Sequence, residues 1–378
     1  MKNYNTTAVF VAACAGMAFF GVTMLSLGPI LGQLNQAVNG ALALPSTMSV
    51  GIILGTILFG PIVDRFGYKW LTVIASVLAL VGVQGLAQSM DIRLLHLSIG
   101  CLGLGGGILN GLTNALVSDI YDDDKRAGRM GVLGAFYCIG ALLWTLLNYF
   151  IPEYHLPLNA ISVIMAGFIV YFFFIRFPQA KPAEGIGLKN TLGLLKYPAL
   201  ILFAVVLFFQ SGFEGASGSF SVSYFVDAAA INAKAATLAM TWFTIGMMAG
   251  RFPLGIITAR LKELKTLYLY LTIGLLGVVL FAFCQSAVMA YVAMALIGFG
   301  VGATYPVVLN YIGGTFRNQS GTAISLAIFI ALLGQYAFNS IVGRSFDAER
   351  FMTLPAMLIG ALIMIMILVP VSLKVAKK

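Results

Sequence analysis

Apolar residues run along this chain in long blocks, each closed by a short polar or glycine- and proline-containing break. A helix that crosses a bilayer needs about 20 predominantly apolar residues. Twelve blocks meet that length: 7–35, 41–63, 70–90, 94–118, 130–151, 157–176, 198–226, 235–258, 266–286, 288–313, 320–343 and 352–373. Most breaks are short. The connection from Phe177 to Tyr197 is longer and polar, holds Pro178 and Pro182, and reads as a linker. The pattern predicts an all-α integral membrane protein of twelve transmembrane helices: a six-helix half at 1–176, a cytoplasmic linker at 177–197 and a second six-helix half at 198–378.

The two halves repeat each other at one offset. Gly55, Gly60 and Arg65 recur 195 residues later as Gly250, Gly255 and Arg260, and Gly103, Gly105 and Gly107 as Gly298, Gly300 and Gly302. Two separated clusters at one spacing argue for duplication.

Composition sharpens this picture. The chain is 60% hydrophobic and 9% charged, against roughly 25% charged in soluble domains. So few charges cannot cover a water-facing surface, so most of the chain faces lipid. The 42 glycines suit helices that pack closely without water between them. The four cysteines, Cys14, Cys101, Cys138 and Cys284, lie in apolar runs and read as small buried hydrophobes. His96 and His155 form no cluster, so no metal site is expected. A net charge of +9 would suit nucleic acid, but topology explains it better. With the N-terminus inside, only Arg93, Lys234, Arg344 and Arg350 fall in outer loops. Arg251 falls within a span, and every other Lys and Arg falls inside. Both termini are therefore expected in the cytoplasm. The stretch Asp122–Arg126 reads as a solvated loop, and Asn5-Thr-Thr7 and Asn318-Gln-Ser320 as cytoplasmic, unglycosylated matches to the glycosylation pattern.

The segment Gly60-Pro-Ile-Val-Asp64-Arg65-Phe-Gly67-Tyr-Lys69 resembles the G-x-x-x-D-R-x-G-x-[RK] loop of the major facilitator superfamily, in the second loop and on the inside. Transporters of that family are built from parallel six-helix repeats with the substrate site near the midplane. The resemblance makes Gly60, Asp64, Arg65, Gly67 and Lys69 candidate gating residues that latch the inner side and release it during alternating access. The second copy keeps Gly255 and Arg260, a further gating candidate, but has Ala259 in place of the acid. A finer resemblance, to the fucose/glucose-galactose proton symporter family, rests on Gly103 to Val117 of the fourth span and Gln210 to Tyr224 of the seventh. Where that family commonly has an acid four residues before Asn114, this chain has Asn110, and its acid of the first span is absent from Leu25-Ser-Leu-Gly28-Pro. The drug-antiporter signature of the fifth span is also absent.

Of 13 acids, only Glu214 lies deep in a span. An intramembrane carboxyl costs several kcal/mol when charged and unpaired, so it is a candidate proton-coupling residue. Gln210, Glu214 and Ser217 share a helical face by spacing. Asn110 with Asn114, and Gln335 with Asn339, do the same, and amides suit hydroxyl-rich ligands. Tyr137, Trp144, Tyr305 and Tyr336 offer rings that stack on sugars. All of these are candidate substrate contacts; interhelical hydrogen bonding and plain packing are the alternative readings.

These readings converge on a secondary active transporter of a small polar organic solute, a sugar or related metabolite, with proton coupling. An uncoupled facilitator, an exporter of an organic anion and a membrane sensor stay open. No enzyme activity, cofactor or nucleic-acid partner is expected; the expected partners are the solute, protons and the lipid bilayer. A monomer in a bacterial inner (plasma) membrane is expected.

Overall fold

The computed structural model describes residues 3–151, 153–179 and 193–376, so the middle of the expected linker, with Lys181, Pro182 and Lys189, lies outside the described residues. Two compact units form. The first holds residues 1–121, 136–191 and 316–325; the second holds 122–135, 192–315 and 326–378. Each unit thus includes one short segment from the other half of the sequence.

The first unit contains α1 (Thr6–Leu25), α2 (Leu31–Ala37), α3 (Leu44–Phe66), α4 (Tyr68–Gln88), α5 (Ile92–Ile120), most of α6 (Asp123–Phe150) and α7 (His155–Phe174). The second contains α8 (Pro198–Ser223), α9 (Ala233–Arg251), α10 (Leu254–Leu261), α11 (Glu263–Ala282), α12 (Ala287–Val301), α13 (Thr304–Thr315), most of α14 (Ser320–Asp347) and α15 (Thr353–Ala376). Among the described residues, 11 helical stretches are long and apolar enough to cross a membrane. The expected span 235–258 corresponds to α9 and α10, which a break divides.

Three expected spans are not continuous helices, and proline explains each. A proline inside a helix removes one hydrogen bond and clashes with the carbonyl four residues earlier. The expected first span, 7–35, stops at Leu25, four residues before Pro29, and resumes as α2. The eighth breaks between Arg251 and Leu254, at Phe252-Pro253. The tenth, 288–313, breaks at Gly302-Ala303, with Pro306 four residues after Gly302. Asn5, part of a glycosylation match, is the N-cap of α1, its side-chain oxygen accepting from the N–H of Thr7 at 2.9 Å and of Ala8 at 3.2 Å.

The repeat at offset 195 holds at the level of contacts. A Cβ on Gly55 would lie 2.3 Å from the Leu104 carbonyl oxygen, and one on Gly250 would lie 2.8 Å from that of Phe299. Gly103 meets Met48 as Gly298 meets Phe243, and Gly107 meets Ile52 as Gly302 meets Met247. Every partner is also displaced by 195. These glycines let backbone ride on backbone, which is how helices gain contact where water exclusion drives nothing.

Candidate functional site

The loop that carries the motif match turns at Gly67. Its φ of +80° is a left-handed conformation that joins α3 to α4 without a linker. That turn places Asp64 and Tyr68 at the start of α14. The Asp64 carboxylate is buried and accepts from the N–H of Gly321 at 3.2 Å, the N–H of Thr322 at 2.8 Å and the hydroxyl of Thr322 at 2.7 Å. A second acid works beside it: Asp119, at the end of α5, accepts from Tyr68 at 2.5 Å and from Ser320 at 2.8 Å. Two carboxylates thus cover the first turn of α14, whose free N–H groups and dipole favour negative charge. Gly60 permits the approach, because a Cβ there would lie 2.6 Å from that of Ser325. Arg65 lies over the Phe66 ring at 5.1 Å, and Lys69 over the rings of Phe173 and Trp70. Asp119 and Thr322 carried no motif and were missed in sequence; Tyr68 stood at an untyped position of the loop motif and Ser320 in a discounted glycosylation match.

The second unit holds the related junction with reversed polarity. Ala259 stands where the acid would be, and Arg260 is exposed. Here a base reaches across instead. Arg126, expected in a solvated loop, is 2% exposed on α6; it pairs with Asp123 at 2.7 Å and donates to the Asn310 carbonyl of α13 at 3.5 Å. Gly314 opens the path, since a Cβ there would lie 2.7 Å from the guanidinium Nη1. Asn310 donates to Glu263 at 2.9 Å, and Tyr311 also hydrogen-bonds that carboxylate. Lys262 occupies the place of Gly67 and keeps its left-handed turn, with φ of +64° on a residue with a side chain.

Deeper in the second unit, α8 carries Gln210, Glu214 and Ser217. Glu214 is about 24 Å from the start of α8, at 1.5 Å per residue. Its carboxylate is half-buried, one helical turn from Gln210 and within the field of Arg251 on α9. Gln210 is fully buried and donates Nε2 to the Val301 carbonyl at 3.2 Å. Its Oε1, and the buried Ser217 hydroxyl, have no hydrogen-bond partner among the described residues. On α14, Gln335 lies against Gly215, and Asn339 donates to Ser219 at 3.4 Å. These amides therefore join the α8 group. Tyr305 is half-buried on α13. Tyr336 is 74% exposed, on the flank of α14 that carries exposed Leu333 and Ile341, apart from the buried group.

In the first unit, Asn110 and Asn114 are buried together, with Asn114 Nδ2 donating to the Asn110 carbonyl at 2.8 Å. Tyr137 packs on Phe20, ring centroids 5.6 Å apart. Trp144 is fully buried, and its indole N–H donates to the Leu25 carbonyl at 2.8 Å. That is the carbonyl Pro29 frees, so Trp144 satisfies the break in the first span.

Apolar helices in two repeats, with two acids at one helix start and a carboxyl deep in one span, fit a membrane carrier. The Major Facilitator Superfamily profile matches residues 8–338, and the chain belongs to that family. It is similar to the "Protein TsgA homolog" of Buchnera aphidicola, at 21% identity with 88% of each chain covered. It is also similar to the "Glucose/mannose transporter GlcP" of Bacillus subtilis, at 20% identity over 91% of this chain and 92% of that one. A crystal structure of the E. coli fucose:proton symporter FucP, in a singly substituted form, superposes with a TM-score of 0.82 at 17% identity, covering 96% of this chain and 98% of that one.

Proposed function

We propose that this protein is a proton-coupled secondary transporter of a monosaccharide or a closely related hydroxyl-rich metabolite, working by alternating access. The observation that carries this reading is the setting of Glu214: a half-buried carboxyl deep in α8, one helical turn from buried Gln210 and within the field of Arg251. A group there can take up a proton on one side and release it on the other. The names of the relatives, a glucose/mannose transporter and a fucose:proton symporter, support a sugar. Within the second unit, Gln210, Ser217, Gln335 and Asn339 offer donors and acceptors suited to sugar hydroxyls; within the first, Asn110, Asn114 and Tyr137 offer amides and a ring of the same chemistry. Asp64 and Asp119 serve as the inner latch, with Gly60, Arg65, Gly67, Lys69 and Arg260 shaping the loops. The distribution of basic residues supports a cytoplasmic position for both termini, and the bacterial relatives support a bacterial inner membrane. Arg251 favours a second reading, an organic anion as solute.

The test is uptake into proteoliposomes under an imposed pH gradient, with D-glucose, D-mannose, L-fucose, D-xylose and small carboxylates. Accumulation of a sugar above its equilibrium level supports the proposal. Accumulation of carboxylates alone supports the second reading, and equilibration without accumulation overturns proton coupling.

A further inference from the structure

Two helix breaks in the second unit meet at one side chain. Arg251 is the last residue of α9, directly before the Phe252-Pro253 break. Its Cγ lies 3.6 Å from where a Cβ of Gly302 would stand, at the break between α12 and α13. Gln210 bonds the carbonyl of the neighbouring Val301, so α8 and Arg251 converge on the same interruption. Interrupted helices in transporters line substrate and ion sites, because only there can loosened backbone be satisfied.

Arg251 also reaches in a second direction. Its Nη1 donates to the Gly134 carbonyl of α6 at 2.8 Å. The approach runs along three glycines one helical turn apart. A Cβ on Gly128 would lie 2.6 Å from the Cα of Gly255, one on Gly131 2.7 Å from the Arg251 carbonyl oxygen, and one on Gly134 3.1 Å from the Arg251 side chain. At these three positions α6 contributes no side chain to the seam with α9 and α10, so a small shift of Arg251 is felt directly by the α6 backbone.

The elements packed against α8 carry few ionisable groups. They are Lys196 and Tyr197 just before α8, Tyr224 and Asp227 in the turn after it, Lys234 and Arg251 on α9, Tyr305 and Tyr311 on α13, Tyr336, Arg344 and Asp347 on α14, and Lys374 on α15. Apart from Arg251 and the tyrosines of α13 and α14, these lie at helix ends. Arg251 is the charge that acts on Glu214.

We propose that Arg251 is the positioning residue that transmits the charge state of Glu214 to the glycine seam, shared between the Glu214 carboxylate on one side and the Gly134 carbonyl on the other. Ionised Glu214 draws the guanidinium toward α8 and loosens the seam. Neutral Glu214 leaves the Gly134 carbonyl as the stronger acceptor and tightens it. The inference rests on Glu214 being the proton-coupling residue.

The test uses spin labels at Lys125 on α6 and Ile256 on α10, both exposed, in the full-length protein in nanodiscs, with distances measured between pH 5 and pH 9. The wild type is expected to populate a longer distance as pH rises. Glu214→Gln and Arg251→Gln are each expected to hold one distribution across the range. Arg251→Lys, which keeps the charge but loses the fork, is expected to retain a reduced response. Gly134→Ala keeps both charges and crowds the guanidinium; it should favour the longer distance at all pH values, and it serves if Arg251→Gln fails to fold. A wild-type pH response retained in Arg251→Gln or in Gly134→Ala overturns the inference while leaving Glu214 coupling intact. A response retained in Glu214→Gln overturns the coupling reading itself.

Discussion

Replacing Asp64 by asparagine should unlatch the start of α14. In the native junction the carboxylate accepts from two backbone N–H groups and one hydroxyl, at 3.2, 2.8 and 2.7 Å. Hydrogen bonds to a charged group are worth about 1.5–3 kcal/mol, and neutral ones about 0.5–1.5. Asparagine keeps one oxygen for Thr322 and turns its NH2 toward the N–H of Gly321, so one bond is lost and two are weakened. The favourable charge at the helix N-terminus, about 0.3–1 kcal/mol, goes as well. The lost bond and the helix-end charge together come to about 2–4 kcal/mol, or roughly 30- to 700-fold in the equilibrium of the closed junction at 1.4 kcal/mol per decade, before the two weakened bonds are added. The Ser325 bond to the Thr56 carbonyl, at 2.6 Å, remains, so the fold should survive. Spin labels at Phe66 and Asn318, both exposed, read the junction without any ligand. The wild type should give a short distance, and Asp64→Asn a second, longer population. A variant distribution identical to the wild type would refute the latch.

Trp144→Phe should keep the packing but orphan the Leu25 carbonyl, costing about 1–3 kcal/mol of stability; thermal unfolding in detergent checks this, and an unchanged midpoint contradicts it. Lys262→Gly should stabilise by roughly 0.5–1 kcal/mol, because the strain of a left-handed residue, about 1–2 kcal/mol, exceeds the added backbone entropy of glycine. The same unfolding assay tests it, and a lowered midpoint would show that the Lys262 side chain makes contacts worth more than the strain.

Much of this fold was legible because lipid imposes a simple rule on sequence: long apolar blocks with short breaks. The duplication was legible for a related reason, since glycines that bring backbones together have few substitutes, and they stayed at one offset. The helix breaks at Pro29, Pro253 and Pro306 were hidden, because an interrupted span is as apolar as a continuous one. The site was harder. Glu214 stood out because an acid deep in a span is costly. Asp119, Tyr68 and Arg126 did not, because each lies near a helix end, where a charge is equally at home in water. The partners of Asp119 and Arg126 at Ser320 and Asn310 lie 201 and 184 residues away in sequence. Trp144 reads in sequence as a ring for a ligand; only the freed Leu25 carbonyl reveals what its N–H serves.

The central claim is that Glu214 carries the proton that drives solute uptake. It is tested most directly in proteoliposomes holding an entrapped pH dye, with each sugar of the panel added outside and no gradient imposed. The wild type should acidify the lumen when its sugar is added, as protons enter with the solute. Glu214→Gln, which keeps size and hydrogen bonding but cannot titrate, should still exchange labelled for unlabelled sugar yet give no acidification. Sugar-driven acidification of equal size in the wild type and in Glu214→Gln would contradict the account.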